Sequence, residues 1–294
     1  MSKVITVING KGGVAKTTTA KFIIWEALNR NKKVLAIDLD GSQRNLTLGF
    51  DCDYYELDDL TGEHNPCLLF SRSSSLLKPL HLSNIHKNLY FIPTSASLES
   101  TANATNAGRD LKLNAYIQSI KDQYDFIIID TNPGIEILQN NAILASDTLI
   151  IPTEPEGNAI DGMLDMLKNR INYIIETYSW NNPNEIFVLP SKVSKVGTTH
   201  KTILSEFNFF YDVVQNLPAL KNKHFEILPN IPARESLKQA DLYEGIYFAQ
   251  DLFLSKSHKE MKMYKLDKEA KTVNINYADS LLTIFEYVGN KILK

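Results

Sequence analysis

The chain alternates short, nearly continuous apolar runs with longer stretches in which apolar residues return every three or four positions. The runs are Val4-Ile5-Thr6-Val7-Ile8, Val34-Leu35-Ala36-Ile37, Leu89-Tyr90-Phe91-Ile92, Phe126-Ile127-Ile128-Ile129, Thr148-Leu149-Ile150-Ile151, Ile186-Phe187-Val188-Leu189 and Phe225-Glu226-Ile227-Leu228. Runs of this length, bounded by polar and turn-forming residues, predict strands buried on both faces. Between them, Phe22, Ile23, Trp25, Ala27 and Leu28 mark a helix, another begins at Leu98, and Leu111, Leu113, Ile117 and Ile120 stripe a third. Ile160, Met163, Leu164, Met166, Leu167, Ile171 and Ile174 recur at helical spacing, which reads as core or dimer face and not as a ligand box. Strand and helix in alternation predict an α/β fold, a mostly parallel twisted sheet with helices on both faces and right-handed crossovers.

Two stretches fit this pattern poorly. Residues 51–88 carry Gly62, Pro66 and Ser73-Ser74-Ser75 and read as short helices and loops. Residues 255–272 are rich in lysine, at 256, 259, 262, 265, 268 and 271, and read either as a solvated helix or insertion or as a phosphate-contacting arm. Beyond them Leu281, Ile284, Phe285, Val288 and Ile292 share one helical face. The expected organisation is a single domain over 1–294, with a basic insertion or arm at about 255–272 and a C-terminal docking helix at about 278–294.

The exits of the strands carry the chemistry, as open parallel sheets bind ligands at their carboxyl ends. The first strand enters Asn9-Gly10-Lys11-Gly12-Gly13-Val14-Ala15-Lys16-Thr17-Thr18 and leaves into a helix. A glycine-rich strand-to-helix turn presents backbone N–H groups and a helix N-terminus to a polyphosphate. Lys16 is placed to neutralise the β- and γ-phosphates and the Thr17 hydroxyl to ligate Mg2+. The second strand ends at Asp38, with Asp40 two residues on. The Phe126–Ile129 run ends at Asp130, the carboxylate expected to hold Mg2+ through water. Asp147 reads as a turn or cap residue, and Phe207, Phe209, Phe210 and Tyr211 as packing more than base stacking.

Composition narrows the classes without choosing among them. A chain of 294 residues, 44% hydrophobic and 22% charged, reads as an ordinary soluble globular protein, and a net charge of −3 gives no global attraction to nucleic acid, so a DNA contact has to come from a local patch. Cys52 and Cys67 form neither a CxxC pair nor a disulfide framework, which fits a reducing compartment. The six histidines do not cluster with them as zinc ligands. No run is long and apolar enough for a signal peptide or a membrane span.

Lys11-Gly12-Gly13-Val14-Ala15-Lys16-Thr17-Thr18 resembles the deviant Walker A motif of the ParA/MinD family of ATPases, with Ala15 where that family usually has glycine. Asp38 to Thr47 resembles its second acidic motif, with Gly41-Ser42 in place of one proline. Tyr124-Asp125 through Asp130-Thr131-Asn132-Pro133-Gly134 resembles its Walker B segment, with Asn132 replacing the first proline. The likeness runs over residues 1 to about 250, is weakest at 51–88, and points to the ParA branch of plasmid and chromosome partition ATPases.

This resemblance implies a P-loop NTPase of MinD-like architecture that uses ATP and Mg2+. It implies nucleotide contacts from Gly10 through Thr18, metal ligation by Thr17 and Asp130, positioning of the attacking water by Asp40, and Lys11 reaching the nucleotide of a partner protomer. It further implies an ATP-dependent homodimer that binds DNA non-specifically, a ParB-type centromere-binding partner that stimulates hydrolysis, and a cytoplasmic, nucleoid-associated location. Only three residues precede the first strand, so no N-terminal helix-turn-helix for operator-specific repression is expected. Lys192, Lys195, Lys201, Arg234 and Lys238 are the candidate DNA contacts. Two alternatives share the superfamily: a MinD-like membrane-cycling ATPase, which needs an amphipathic terminal helix, and an iron-sulfur carrier, which needs paired thiolates.

Overall fold

The computed structural model describes residues 2–50, 62–71, 73–104, 108–134, 136–192, 206–228 and 289–294. They build one eight-stranded sheet from β1 (Lys3–Val7), β2 (Val34–Asp38), β3 (Leu80–His81), β4 (Leu89–Ile92), β5 (Phe126–Asp130), β6 (Thr148–Thr153), β7 (Glu185–Pro190) and β8 (His224–Ile227). The spatial order is β3-β4-β2-β5-β1-β6-β7-β8. Every neighbouring pair is parallel except β3 with β4, an antiparallel edge pair. The apolar runs thus became parallel strands, and every residue of β2, β5 and β6 is buried. The two-residue β3 escaped the sequence reading because Leu80-His81 has neither length nor apolar continuity.

Helices cover both faces: α1 (Lys16–Asn29), α2 (Asn45–Gly49), α3 (Leu98–Ala104), α4 (Lys112–Ile120), α5 (Glu136–Ala145), α6 (Ala159–Leu164), α7 (Tyr173–Tyr178) and α8 (Phe209–Gln215). The helix expected across Ile160 to Ile174 is interrupted, because Asp165–Asn172 between α6 and α7 is π-helical. That wider winding still buries Met166, Leu167 and Ile171, and a 3.6-residue period gives no warning of it. Residues 62–76, expected as short helices and loops, contain the 3-10 turns Gly62–His64, Pro66–Phe70 and Ser74–Leu76.

Three apolar clusters fill the layers. One packs α1 residues Phe22, Ile23, Ile24 and Trp25 against β1, β2, β4 and β5, and includes Ile292 and Leu293. A second joins the opposite face of the same strands to α4 and α5. The third joins β6 and β7 to the Met163–Ile175 segment and to Phe207, Phe210 and Val214. Burying this many Ile, Leu, Val and Phe side chains, each contributing about 1.5–3 kcal/mol, holds the strand ends in fixed register. Asp147, expected to serve a turn, ties elements together: its Oδ2 accepts the Val4 N–H at 2.9 Å and its Oδ1 accepts the Asn182 amide at 2.8 Å. Of the expected C-terminal helix only its last turn is described, at 289–292, where Lys3 Nζ donates to the Ile292 carbonyl at 2.8 Å. The basic stretch 255–272 lies outside the described residues.

Candidate nucleotide site

The register of the sheet sets the site. Asp38 at the end of β2 is paired with Asp130 at the end of β5, and Asp130 is paired with Val7 at the end of β1. The phosphate loop therefore leaves the sheet directly beside Asp130, more than a hundred residues on along the chain, with Asp38 one strand further across.

Local bonds fix the loop. Asn9 accepts the Lys11 N–H on Oδ1 at 2.8 Å and donates its amide to the Pro152 carbonyl at 2.7 Å, which fastens the loop to the end of β6. Ser191 Oγ, at the end of β7, donates to the Val14 carbonyl at 2.9 Å. Lys16 is buried and curls back so that Nζ donates to the Lys11 carbonyl at 2.9 Å. Burial pushes the Lys16 ammonium down from its ordinary pKa, while Asp130 and Asp40 act the other way. Ala15 stands at φ 69°, ψ 34°, the left-handed region that favours glycine. A residue with a Cβ gives up about 1–2 kcal/mol there, so the alanine in the glycine position of the motif leaves the loop strained but keeps its path.

The acidic side is drier. Asp38 and Asp130 are fully buried and Asp40 is 4% exposed. Asp38 is satisfied: Oδ1 accepts the Asp40 N–H at 2.8 Å, and Oδ2 accepts the Thr47 N–H at 2.9 Å and its hydroxyl at 2.7 Å. Asp40 Oδ1 accepts from Ser42 N, Ser42 Oγ and Gln43 N at 3.2, 2.7 and 3.1 Å, which folds the extra-long turn back on itself. Gly41 allows that turn to lie against the neighbouring loop, since a Cβ there would come within 2.6 Å of the Ser95 carbonyl oxygen.

Asp130 is unlike the other two. Neither of its oxygens meets strict hydrogen-bond criteria, although the neighbouring Thr17 side chain acts as a hydrogen-bonding group that favours its charged form. Burial, reinforced by the Asp38 charge, pushes the Asp130 carboxyl up to about 8, and burial likewise lifts Asp38 to about 6. An unpartnered buried carboxylate costs several kcal/mol when ionised, of order 3–5. A cation beside Thr17 and Asp130 removes that cost, so the donors present fit Mg2+. No group of three or more His, Cys, Asp and Glu among the described residues forms a complete protein ligand set.

The exposed rim of the loop carries paired lysines. Lys11 Nζ meets Glu156 Oε2 at 2.9 Å, with both side chains about half exposed, and Lys192 Nζ meets Glu154 Oε2 at 3.7 Å. Lys192 lies 4.0 Å from where a Gly13 Cβ would stand, so this DNA candidate sits at the rim of the phosphate loop. Lys195, Lys201, Arg234 and Lys238 lie outside the described residues, as does Cys52. Cys67 is half-buried, with Ser95 Oγ at 3.4 Å and Ser97 Oγ at 3.7 Å. Phe207 and Phe210 pack edge to face at 5.5 Å in the core, while Phe209 and Tyr211 are exposed. Gly10, Gly12 and Val14 lie on the loop, with Val14 buried and the glycines exposed, while Thr17 and Thr18 stand in the first turn of α1.

Sequence reading passed over Asn9, Thr47, Glu154, Glu156 and Ser191. Their types are ordinary for loops, and several of their partners are remote: Lys11 and Glu156 are separated by 145 positions.

The AAA domain family matches residues 2–186. The chromosome partitioning protein ParA of Myxococcus xanthus is 30% identical over 235 residues, covering 78% of this chain and 79% of that protein. An uncharacterised protein of Pseudomonas putida is 33% identical over 171 residues, 58% of this chain. The match spans 62% of the Pseudomonas protein's length. Among solved structures, a putative plasmid partition protein from Borrelia burgdorferi bound to AMPPNP superposes with a TM-score of 0.62 at 23% identity, over 98% of this chain and 99% of that one. At that identity the likeness is one of fold.

Proposed function

The chain belongs to the ParA-type partition ATPases of the ParA/MinD family, and from that premise we propose that it binds Mg-ATP, dimerises around the nucleotide, hydrolyses it slowly and binds DNA non-specifically in the ATP state. Its role is then to segregate plasmid or chromosomal DNA in the bacterial cytoplasm, with a ParB-type protein stimulating hydrolysis and release. The observation that carries the reading is the meeting of one strained phosphate loop, a buried lysine and three buried carboxylates at the exits of adjacent parallel strands.

Each group has a task in this reading. The loop N–H groups and Lys16 bind the phosphates, and moving Lys16 Nζ from the Lys11 carbonyl to a phosphate exchanges a neutral acceptor for an anionic one. Thr17 and Asp130 would hold Mg2+, which would supply charge neutralisation at the phosphates. Asp40, held by its own turn and close enough to act on Lys16, orients the attacking water. Lys11 exchanges Glu156 for the triphosphate of a second protomer. An exposed pair of this kind is worth about 0–1 kcal/mol, so a polyphosphate displaces it readily.

The decisive experiment is DNA binding titrated against salt with Mg-ATP, Mg-ADP and no nucleotide. ATP-dependent binding with a log–log salt slope of roughly −3 to −5 is expected for about four to six phosphate contacts. Equal affinity in all three states removes the switch. Asp40→Ala is expected to retain ATP and hold the dimer, and wild-type turnover in that variant removes the water-positioning role.

A further inference from the structure

Five of the nine buried side-chain polar atoms that lack a partner among the described residues fall on one short stretch: both oxygens of Asp130, both amide atoms of Asn132, and Gln139 Oε1. The Asp130 oxygens would serve the metal in the reading above. Asn132 is not, and it stands where the resembled Walker B segment carries proline, a residue with no side-chain donor or acceptor.

The neighbouring residues place the amide along the chain. Asn132 follows Asp130 by two residues as the chain leaves β5, so in extended chain the two side chains leave on the same face. The intervening Thr131 is used elsewhere, its hydroxyl donating to the Val7 carbonyl at 3.0 Å. The Asn132 backbone is fixed by Gln139, whose Nε2 donates to its carbonyl at 2.9 Å. Pro133 then packs against the phosphate loop, its Cγ 3.8 Å from where a Gly12 Cβ would stand. Asn132 thus lies in the chain between the Asp130 carboxylate and Pro133, which packs on the phosphate loop, and it is 1% exposed with side-chain donor and acceptor both unused. Leaving such a group unmatched is unfavourable, and a core position without a polar guest is better filled by an apolar residue.

We propose that Asn132 is a catalytic residue of the ATPase reaction: its Nδ2 donates to a γ-phosphate oxygen and its Oδ1 accepts a hydrogen bond from the attacking water. The inference rests on the ATPase reading above. In the step, the water oxygen bonds to the γ-phosphorus and the bond from that phosphorus to the β–γ bridging oxygen breaks. The electron pair leaves on ADP, and the water protons pass to the released phosphate and to solvent. Asn132 takes no proton, because a carboxamide orients and polarises without ionising.

Two variants test it in the full chain. Asn132→Ala removes both amide atoms, and Asn132→Pro restores the residue type of the motif. Single-turnover hydrolysis at saturating Mg-ATP is expected to fall on the order of 100-fold in Asn132→Ala. Thermal melts supply a readout independent of turnover. Without nucleotide, Asn132→Ala melts no lower than the parent, since an unmatched amide has been removed. With Mg-ATPγS the parent rises further than the variant by about 2–4 °C. If either variant hydrolyses within two-fold of the parent, or the ATPγS-induced rise is the same in parent and Asn132→Ala, the proposal is overturned while the ATPase reading stands. A parent chain that binds ATPγS but hydrolyses no ATP overturns both.

Discussion

The two sides of the nucleotide site differ in how the fold treats charge. On the β2–β5 side, Asp38, Asp40 and Asp130 sit at 0%, 4% and 0% exposure, and neither Asp130 oxygen meets strict hydrogen-bond criteria. On the rim, Lys11 and Lys192 keep 41% exposure each and are paired with glutamates of the turn that follows β6. The buried side is built in advance, because its geometry is set by strand register. The rim stores little energy, and its lysines are free to change partners at small cost. In the proposed function, chemistry falls to the rigid side and communication between protomers to the loose one.

Removing Lys16 should break this contrast most severely. Lys16→Ala is expected to lose nucleotide affinity by on the order of 100-fold or more, since a charge-assisted contact to phosphate is lost in a buried setting. Fluorescent-nucleotide titration checks it, and an affinity within three-fold of the parent would dissolve the distinction between the sides.

Next in size is the pH response of the nucleotide-free chain. Asp130 and Asp38 are raised in the folded state, to about 8 and about 6, above the ordinary value of 3.8. The folded chain therefore binds more protons than the unfolded one across this window, so stability falls as pH rises from about 4 through about 8. Urea melts at pH 5, 6.5 and 8 should show this decline. Asp130→Asn should flatten it and stabilise the protein at pH 8, whereas an unchanged slope means that the carboxylates are better satisfied than their bonds indicate.

A smaller effect on folding, with a large one on assembly, is expected from Lys11→Ala. Monomer stability should change by less than about 1 kcal/mol, while ATP-dependent dimerisation in sedimentation is lost. A variant that dimerises normally places the rim outside the communication between protomers. The smallest effect belongs to Ala15→Gly, which relieves a left-handed backbone and should raise stability by about 0.5–1 kcal/mol, measurable by chemical denaturation. A loss of stability there would show that the Ala15 methyl packs better than its backbone angle suggests.

Much of this was legible in the chain because it is local. Apolar runs dictate strands, three-to-four periodicity dictates helices, and a glycine-rich turn between them dictates a phosphate loop at a helix N-terminus, all within windows of about ten residues. Lys11, Lys16, Thr17, Asp40 and Asp130 were visible as residue types at the exits of such runs. Even the substitution at Ala15 could be seen, though its left-handed backbone could not.

What only the tertiary structure decided is what depends on pairing across long separations. Inserting β5 between β1 and β2 brings Asp38 opposite Asp130, and Asn9 and Ser191 then bind the loop to strands far along the chain. The ion pair between Lys11 and Glu156, the π-helical winding at Asp165–Asn172 and the unmatched amide of Asn132 likewise leave no mark in a local pattern. Side-chain chemistry is written residue by residue. Burial, register and the absence of a partner belong to the packed sheet, because they depend on what every other element places nearby.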